Sequence, residues 1–219
     1  MVSITDVCRC VQHMWPLLHE VLNTEISWPS KDEWRNRKNI GPELPGVVGI
    51  IDGTSHEIQP PRDNQRAFYS GCRKYHCIYT QIICDNNLNI RYISPGFNGH
   101  ENDAQIYHQL PEIGENAPVL RLPPDCWILA DSIYPCSKPL LTPYRSNQFP
   151  KNNPDEFSRR QRFNDVIRKH RVYVEHVIGR VKQYKIISSI HRHELSDLQC
   201  IVFLCACLTQ RRHRLFETL

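Results

Sequence analysis

Apolar positions recur along this chain at two different periods. From Ser3 to Leu22 the residues Ile4, Val7, Val11, Met14, Leu18, Val21 and Leu22 return at steps of three and four, which predicts a helix. Pro16 falls inside it and predicts a kink or a restart. Glu25 to Pro45 is polar, with Pro29, Pro42 and Pro45, and reads as a linker held to the domain by Trp28 and Trp34. In Val47-Val48-Gly49-Ile50-Ile51 four apolar residues and one glycine fill five positions, the pattern of a strand buried on both faces, which Gly53-Thr54 should end. Tyr75 to Cys84 is rich in Ile, Tyr and Thr and predicts a strand. Asp85-Asn86-Asn87 is a turn, and Ile90 to Ser94 is the returning strand of a hairpin that Pro95-Gly96 should break. Asn102-Asp103 opens a short helix through Leu110, and Cys126 to Ala130 is a second buried strand.

The last third changes period. Ser158 with Gln161 makes a capping-box signature for a helix to about Lys185, with Phe163, Val166, Ile167, Val174, Val177, Ile178 and Val181 as its buried stripe. Ser196 with Gln199 repeats the signature and opens an apolar helix, Leu198 to Leu208. Strands mixed with helices predict an α/β class. The organisation expected is a helical segment (1–24), a linker (25–44) and one domain (45–219).

Composition narrows this little. The chain has 219 residues, 40% hydrophobic and 23% charged, ordinary values for a globular protein. Asp6 and Arg9 interrupt any signal-peptide core, and the longest apolar run, Ile201 to Leu208, is too short to span a bilayer, so no membrane partner is expected. Ten cysteines without an export signal read as reduced thiols of an intracellular protein. Cys72, His76 and Cys77, and the Cys200, Cys205 and Cys207 group, could hold zinc, but the latter follow a buried helical stripe and read better as core.

Charge placement says more than net charge. The net charge is +4, yet Arg159 to Arg192 holds ten Lys or Arg against two acids, Asp165 and Glu175. That is the footprint expected for a phosphate backbone; it is also what a solvated helix face looks like. Arg168, Arg171, Arg180 and Lys182 around Glu175 are candidate DNA contacts, and Gly179 leaves a turn of that face bare. Arg73 and Lys74, at the start of a core strand, are further candidates. Asp52 and Asp131 each follow a buried strand, where ligands of open α/β sheets collect. Each could bind a divalent cation or simply cap the turn after it. With Glu175 they offer oxygen-only ligands of the kind Mg²⁺ or Mn²⁺ takes, and two such ions can clamp an in-line phosphoryl transfer.

Five stretches in order carry a resemblance: Gly49-Ile50-Ile51-Asp52-Gly53-Thr54; Tyr69-Ser70-Gly71-Cys72-Arg73-Lys74-Tyr75-His76; Pro95-Gly96 through Asn102-Asp103; Leu129-Ala130-Asp131-Ser132-Ile133-Tyr134-Pro135 with Leu141-Thr142-Pro143-Tyr144; and Val174-Glu175-His176-Val177-Ile178-Gly179-Arg180-Val181-Lys182. From about Pro45 to Leu208 the chain resembles the DDE nuclease domain of PIF/Harbinger transposases and their Harbinger-derived nuclease relatives. The resemblance implies an RNase H-like mixed sheet flanked by helices, here with a truncated helical N-terminal segment, a remnant of a helix-turn-helix. It implies Asp52, Asp131 and Glu175 as catalytic triad and metal ligands for Mg²⁺ or Mn²⁺. Asp103 matches a further metal-site aspartate, although Asn102 stands where the family usually has His; its other reading is as N-cap of its own helix. DNA as substrate, a Myb/SANT-like DNA-binding partner protein, and a location in the nucleus and also the cytoplasm follow from the same resemblance. A catalytically silent DNA- or protein-binding module that keeps the fold is the alternative.

Overall fold

The sheet is assembled around β1 (Val47–Glu57), eleven residues long. The computed structural model describes residues 3–37, 40–117 and 120–217. β3 (Tyr75–Cys84) pairs antiparallel with β1 from Ile50↔Cys84 to Glu57↔Cys77. β4 (Ile90–Asn98) pairs antiparallel with the outer edge of β3, and the two-residue β2 (Tyr69–Ser70) pairs with the start of that strand. On the other side of β1, β5 (Trp127–Leu129) runs parallel to it, and β6 (Leu140–Leu141) runs parallel to β5. Three antiparallel strands followed by two parallel ones, with helices packed on them, make a mixed α/β sheet of RNase H-like type.

Two apolar clusters cover the two faces. The register of β1 shifts at Gly49, so Val47 and Ile50 point into one cluster and Val48 and Ile51 into the other. The first cluster packs β1 and β3 against α5 (Pro154–Val181) and α7 (Leu195–Glu217), through Ile167, Val174, Val177, Val181, Leu198 and Val202. α1 (Ile4–Leu22) adds Trp15, Leu18 and Leu22 to it, with His19 against Phe203 at 5.3 Å. α6 (Lys185–Ser188) closes this layer with Ile187. The second cluster holds Trp34 of α2 (Lys31–Asn36), Ile106 and Tyr107 of α4 (Asp103–His108), and Tyr134. α3 (Gln65–Phe68) precedes β2.

Several elements depart from the pattern reading. β1 does not end at Gly53-Thr54, because β3 holds it through Glu57, so Asp52 lies within the strand. β5 stops at Leu129, and Asp131 follows it by two residues. β4 runs through Pro95-Gly96; it is an edge strand with a register shift at that point, where proline removes no ladder bond that matters. α1 is one helix through Pro16. Its Leu18 and Leu22 pack inward while Met14 and Val21 are exposed; the side chains of Ile4, Val7 and Val11 lie outside the described residues. α5 begins four residues before Ser158, with Asn153 accepting from the Glu156 N–H and Pro154 in the first turn. It ends at Val181 rather than near Lys185, and α7 is longer than predicted at both ends. The stretch read as linker contains α2, and its Trp34 is completely buried. Among the described residues no helix is long and apolar enough to cross a membrane.

Candidate active site

Beyond the end of β5, the edge of β1 around Asp52 is free of its parallel neighbour, since Ile50 is the last residue paired there. Three carboxylates gather at this place. Asp52 comes from β1, and Asp131 from the chain just after β5. Asp103 comes from the first turn of α4. Arg171 of α5 joins two of them: Nη2 is 3.6 Å from Asp52 Oδ2 and Nη1 is 3.5 Å from Asp131 Oδ2. Arg171 Nε is buried without a partner among the described residues.

The third carboxylate reaches in because of a glycine. A Cβ built on Gly53 would overlap the Asp103 carboxylate, so only a residue without a side chain lets it lie over β1. Asp103 Oδ1 accepts from Gln81 Nε2 at 2.8 Å, and Gln81 Oε1 accepts from Tyr134 Oη–H at 2.5 Å. Gln81 and Tyr134 are fully buried. Asp103 is not the N-cap of α4: Asn102 fills that role by accepting from the Gln105 N–H, which leaves Asp103 free to turn to the site. Asp131 Oδ1 accepts from the backbone N–H and the hydroxyl of Ser132.

Electrostatics record the crowding. Burial pushes the Asp52 carboxyl up to about 6; Asp103 and Asp131 push the same way, and Arg171 opposes them. Asp103 is raised by burial and by Asp131, while its bond from Gln81 and the charges of Arg73 and Arg171 pull it down. Burial first, then the charges of Asp103 and Asp52, hold the Tyr134 hydroxyl protonated far above the ordinary tyrosine range.

Glu175 stands apart from the three. It lies one turn after Arg171 on α5, exposed, and among the described residues Arg171 pairs with Asp52 and Asp131 and not with it. Lys182, two turns further on the same row, donates from Nζ to Ser55 O at 2.9 Å. Arg171 and Lys182, on the same row of α5 as Glu175, therefore both reach β1. Among the described residues no group of three or more His, Cys, Asp or Glu is arranged to hold a metal ion. The donor chemistry nevertheless suits a hard divalent cation: the convergent groups are carboxylates, and Arg171 is the positive charge now held between two of them.

The candidate DNA contacts divide. Arg171 sits in the carboxylate cluster. Arg73 is exposed on the β2–β3 turn, where its charge is felt by Asp103 and by Lys182. Lys74 is exposed on the same turn, in the left-handed region at φ 64°. Arg168 is exposed and paired with Asp165 at 3.2 Å. Arg180 lies away from the carboxylates, against His213 of α7 at 3.3 Å. A Cβ at Gly179 would meet nothing within 4 Å, so the bare turn faces open space. The pattern reading did not single out Gln81 or Gly53 for the site, and it gave Tyr134, with Pro135, only the turn that aims Asp131. Gln81 carried a signal: it is a polar residue inside the apolar run of β3.

A family model described as "DDE superfamily endonuclease" matches residues 51–210. A curated protein of Xenopus laevis named "Putative nuclease HARBI1" is 25% identical over 161 residues, covering 69% of this chain and 44% of the relative. This chain thus spans less than half the length of the relative it matches. No solved structure matches.

Proposed function

The chain belongs to the DDE superfamily endonuclease family, on its Harbinger-derived nuclease branch, and from that premise we propose that it is a divalent-metal-dependent endonuclease that cleaves or transfers phosphodiester bonds of DNA. The observation that supports this reading most is the convergence of Asp52, Asp103 and Asp131 from three separate elements on the open edge of β1. Clustering half-buried carboxylates costs desolvation and mutual repulsion and has no structural benefit of its own.

In this reading Asp52, Asp131 and Glu175 are the catalytic acids, and Asp103 assists as a ligand. Bound Mg²⁺ or Mn²⁺ would supply an acidified water and neutralise charge on the phosphoryl oxygens. The chain's own residues do the rest. Gln81 and Tyr134 fix the rotamer of Asp103, and Ser132 fixes that of Asp131. Glu175 lies between the Arg171 and Lys182 anchors, at the exposed side where a duplex arrives. Arg73, Lys74, Arg168, Arg171 and Lys182 are the cations that draw in the phosphate backbone; Arg180, turned to α7, would serve only a duplex that extends along that helix. Sequence-specific recognition would come from a Myb/SANT-like partner protein, and the site of action would be the nucleus, with a cytoplasmic pool.

Nicking of supercoiled plasmid in Mg²⁺ or Mn²⁺ tests this. Asp52→Ala, Asp131→Ala and Glu175→Gln should each reduce nicking to background. Equal residual activity in the wild type and the three variants overturns it. One feature supports the silent alternative: Arg171 already neutralises two of the carboxylates. Under that reading the chain binds DNA or protein, and binding survives Asp52→Ala without any cut.

A further inference from the structure

A cavity of about 490 Å³ adjoins the carboxylate cluster and shares Asp131 and Arg171 with it. Its lining includes Tyr144, Arg145, Asn164, Arg168 and Arg171. One wall is the chain after β6 and the other is α5. The two are pinned together by a reciprocal pair of bonds: the Tyr144 N–H donates to Asn164 Oδ1 and Asn164 Nδ2 donates to Tyr144 O, each at 2.9 Å. The Tyr144 ring is held by Phe163 edge-on at 5.4 Å and by the Arg160 guanidinium at 4.7 Å. Arg145 Nε donates to Ser132 O at 2.9 Å, which ties the wall to the residue after Asp131. The cavity is therefore braced on both sides.

Its charge is lopsided. Three guanidinium groups line it against one carboxylate, Asp131. Arg171 is committed to the aspartates, while Arg145 and Arg168 are exposed at the rim, Arg168 beside Asp165 at 3.2 Å in a solvent-screened pair that a phosphate can displace. A braced concavity of this volume falls in the range that seats a small ligand unit, whereas a duplex backbone needs a long open track. Cations beside an aromatic side chain are the pairing used to hold single nucleic-acid strands. We infer that this cavity seats one nucleotide of the DNA strand next to the scissile phosphate, with its phosphate between Arg145 and Arg168 and its sugar and base against Tyr144. The inference rests on the nuclease reading for the identity of the strand, while the binding it describes does not require cleavage.

The test is therefore made without catalysis. Fluorescence anisotropy of a short labelled single-stranded oligonucleotide is followed in EDTA across a salt series, for the wild type, Arg145→Ala, Arg145→Lys and the remote Arg35→Ala. Arg145→Ala should weaken binding about fivefold and shallow the slope of log affinity against log salt by about 0.7. Arg145→Lys should keep the slope, and Arg35→Ala should match the wild type. In parallel, an oligonucleotide carrying 5-iododeoxyuridine is photocrosslinked, and the adduct should map to Tyr144. Wild-type affinity and slope in Arg145→Ala overturn the inference, as does absence of binding in the wild type. So does an adduct mapped outside residues 143–146 and 164–171. Equal losses in Arg145→Lys and Arg145→Ala also overturn it, because they assign Arg145 to its Ser132 bond alone. Intact binding with no plasmid nicking sinks the nuclease reading and leaves this one standing.

Discussion

Gly53 shows how much of the site depends on a missing atom. Asp103 can lie over β1 because nothing projects from that position, and Gln81 then completes its orientation. Gly53→Ala should push the Asp103 carboxylate off its Gln81 bond. Overpacking of this kind is worth about 1–3 kcal/mol of stability, and nicking should fall as far as in Asp103→Asn. Denaturant unfolding and plasmid nicking on the same preparations check it; full activity in Gly53→Ala would remove Asp103 from the site. His56, also on β1, makes a different prediction. Burial and, to a smaller degree, the charge of Lys182 lower its pKa to about 4, against the weaker opposing effect of its 3.2 Å contact with Ile187 O, and its Nε2 is buried without a partner among the described residues. The folded imidazole stays neutral where the unfolded one, near 6.5, takes up a proton. Stability from this group is thus present above pH 6.5 and is lost as pH falls toward 4, by up to about 3 kcal/mol. Asp52 carries the opposite sign over an overlapping window, since its folded pKa is the higher one. The difference between the wild type and His56→Asn isolates the histidine: the wild type should lose stability more steeply between pH 6.5 and 4. Parallel curves would reject the assignment.

The β3–β4 hairpin is held by one buried carboxylate. Asp85 accepts the Asn87 and Asn89 N–H groups at 2.9 and 3.0 Å, and its other oxygen meets Arg91 at 2.7 Å and Arg37 at 3.1 Å. Asp85→Ala strands two largely buried guanidiniums and unties the turn, and should cost about 3 kcal/mol in denaturant unfolding; a loss under about 1 kcal/mol would show the turn to be held by its strands alone. The turn itself was legible in Asp85-Asn86-Asn87, and so were β3, the buried stripe of α5 and the α/β class, because each rests on local periodicity. What the pattern missed is tertiary in origin. β1 runs past Gly53-Thr54 because β3 pairs with it residue for residue. β4 carries Pro95 because it lies at an edge. Asp52 and Asp131 were legible as carboxylates after apolar runs, yet Arg171 as their bridge and Gln81 as the rotamer lock depend on contacts between distant segments, for which one sequence carries no periodic signal.

At the scale of the molecule, α5 belongs to both the core and the site. Ile167, Val174 and Val177 bury its inner stripe, while Arg171, Glu175 and Lys182 line the adjoining face. Site occupancy and global stability are therefore coupled through one helix. The fold holds Asp52, Asp103 and Asp131 near one another in partial burial, with Arg171 as counter-charge for two of them. A divalent cation that binds this arrangement and not the unfolded chain must stabilise the fold, by about 2.7 kcal/mol at a hundredfold excess over its Kd. For a chain of this length that is a rise of roughly 5–10 °C in Tm. Asp52→Asn should melt higher than the wild type in EDTA, because it removes one of the crowded charges, and should respond less to Mg²⁺ or Mn²⁺. Asp125→Asn, at an exposed position by the opposite end of β5, should behave as the wild type in both conditions. Thermal melts of the three proteins in EDTA and in each cation decide it: a wild-type Tm indifferent to cations, or an equal rise in Asp52→Asn, would mean that Arg171 alone balances these carboxylates and would favour the binding module over the nuclease.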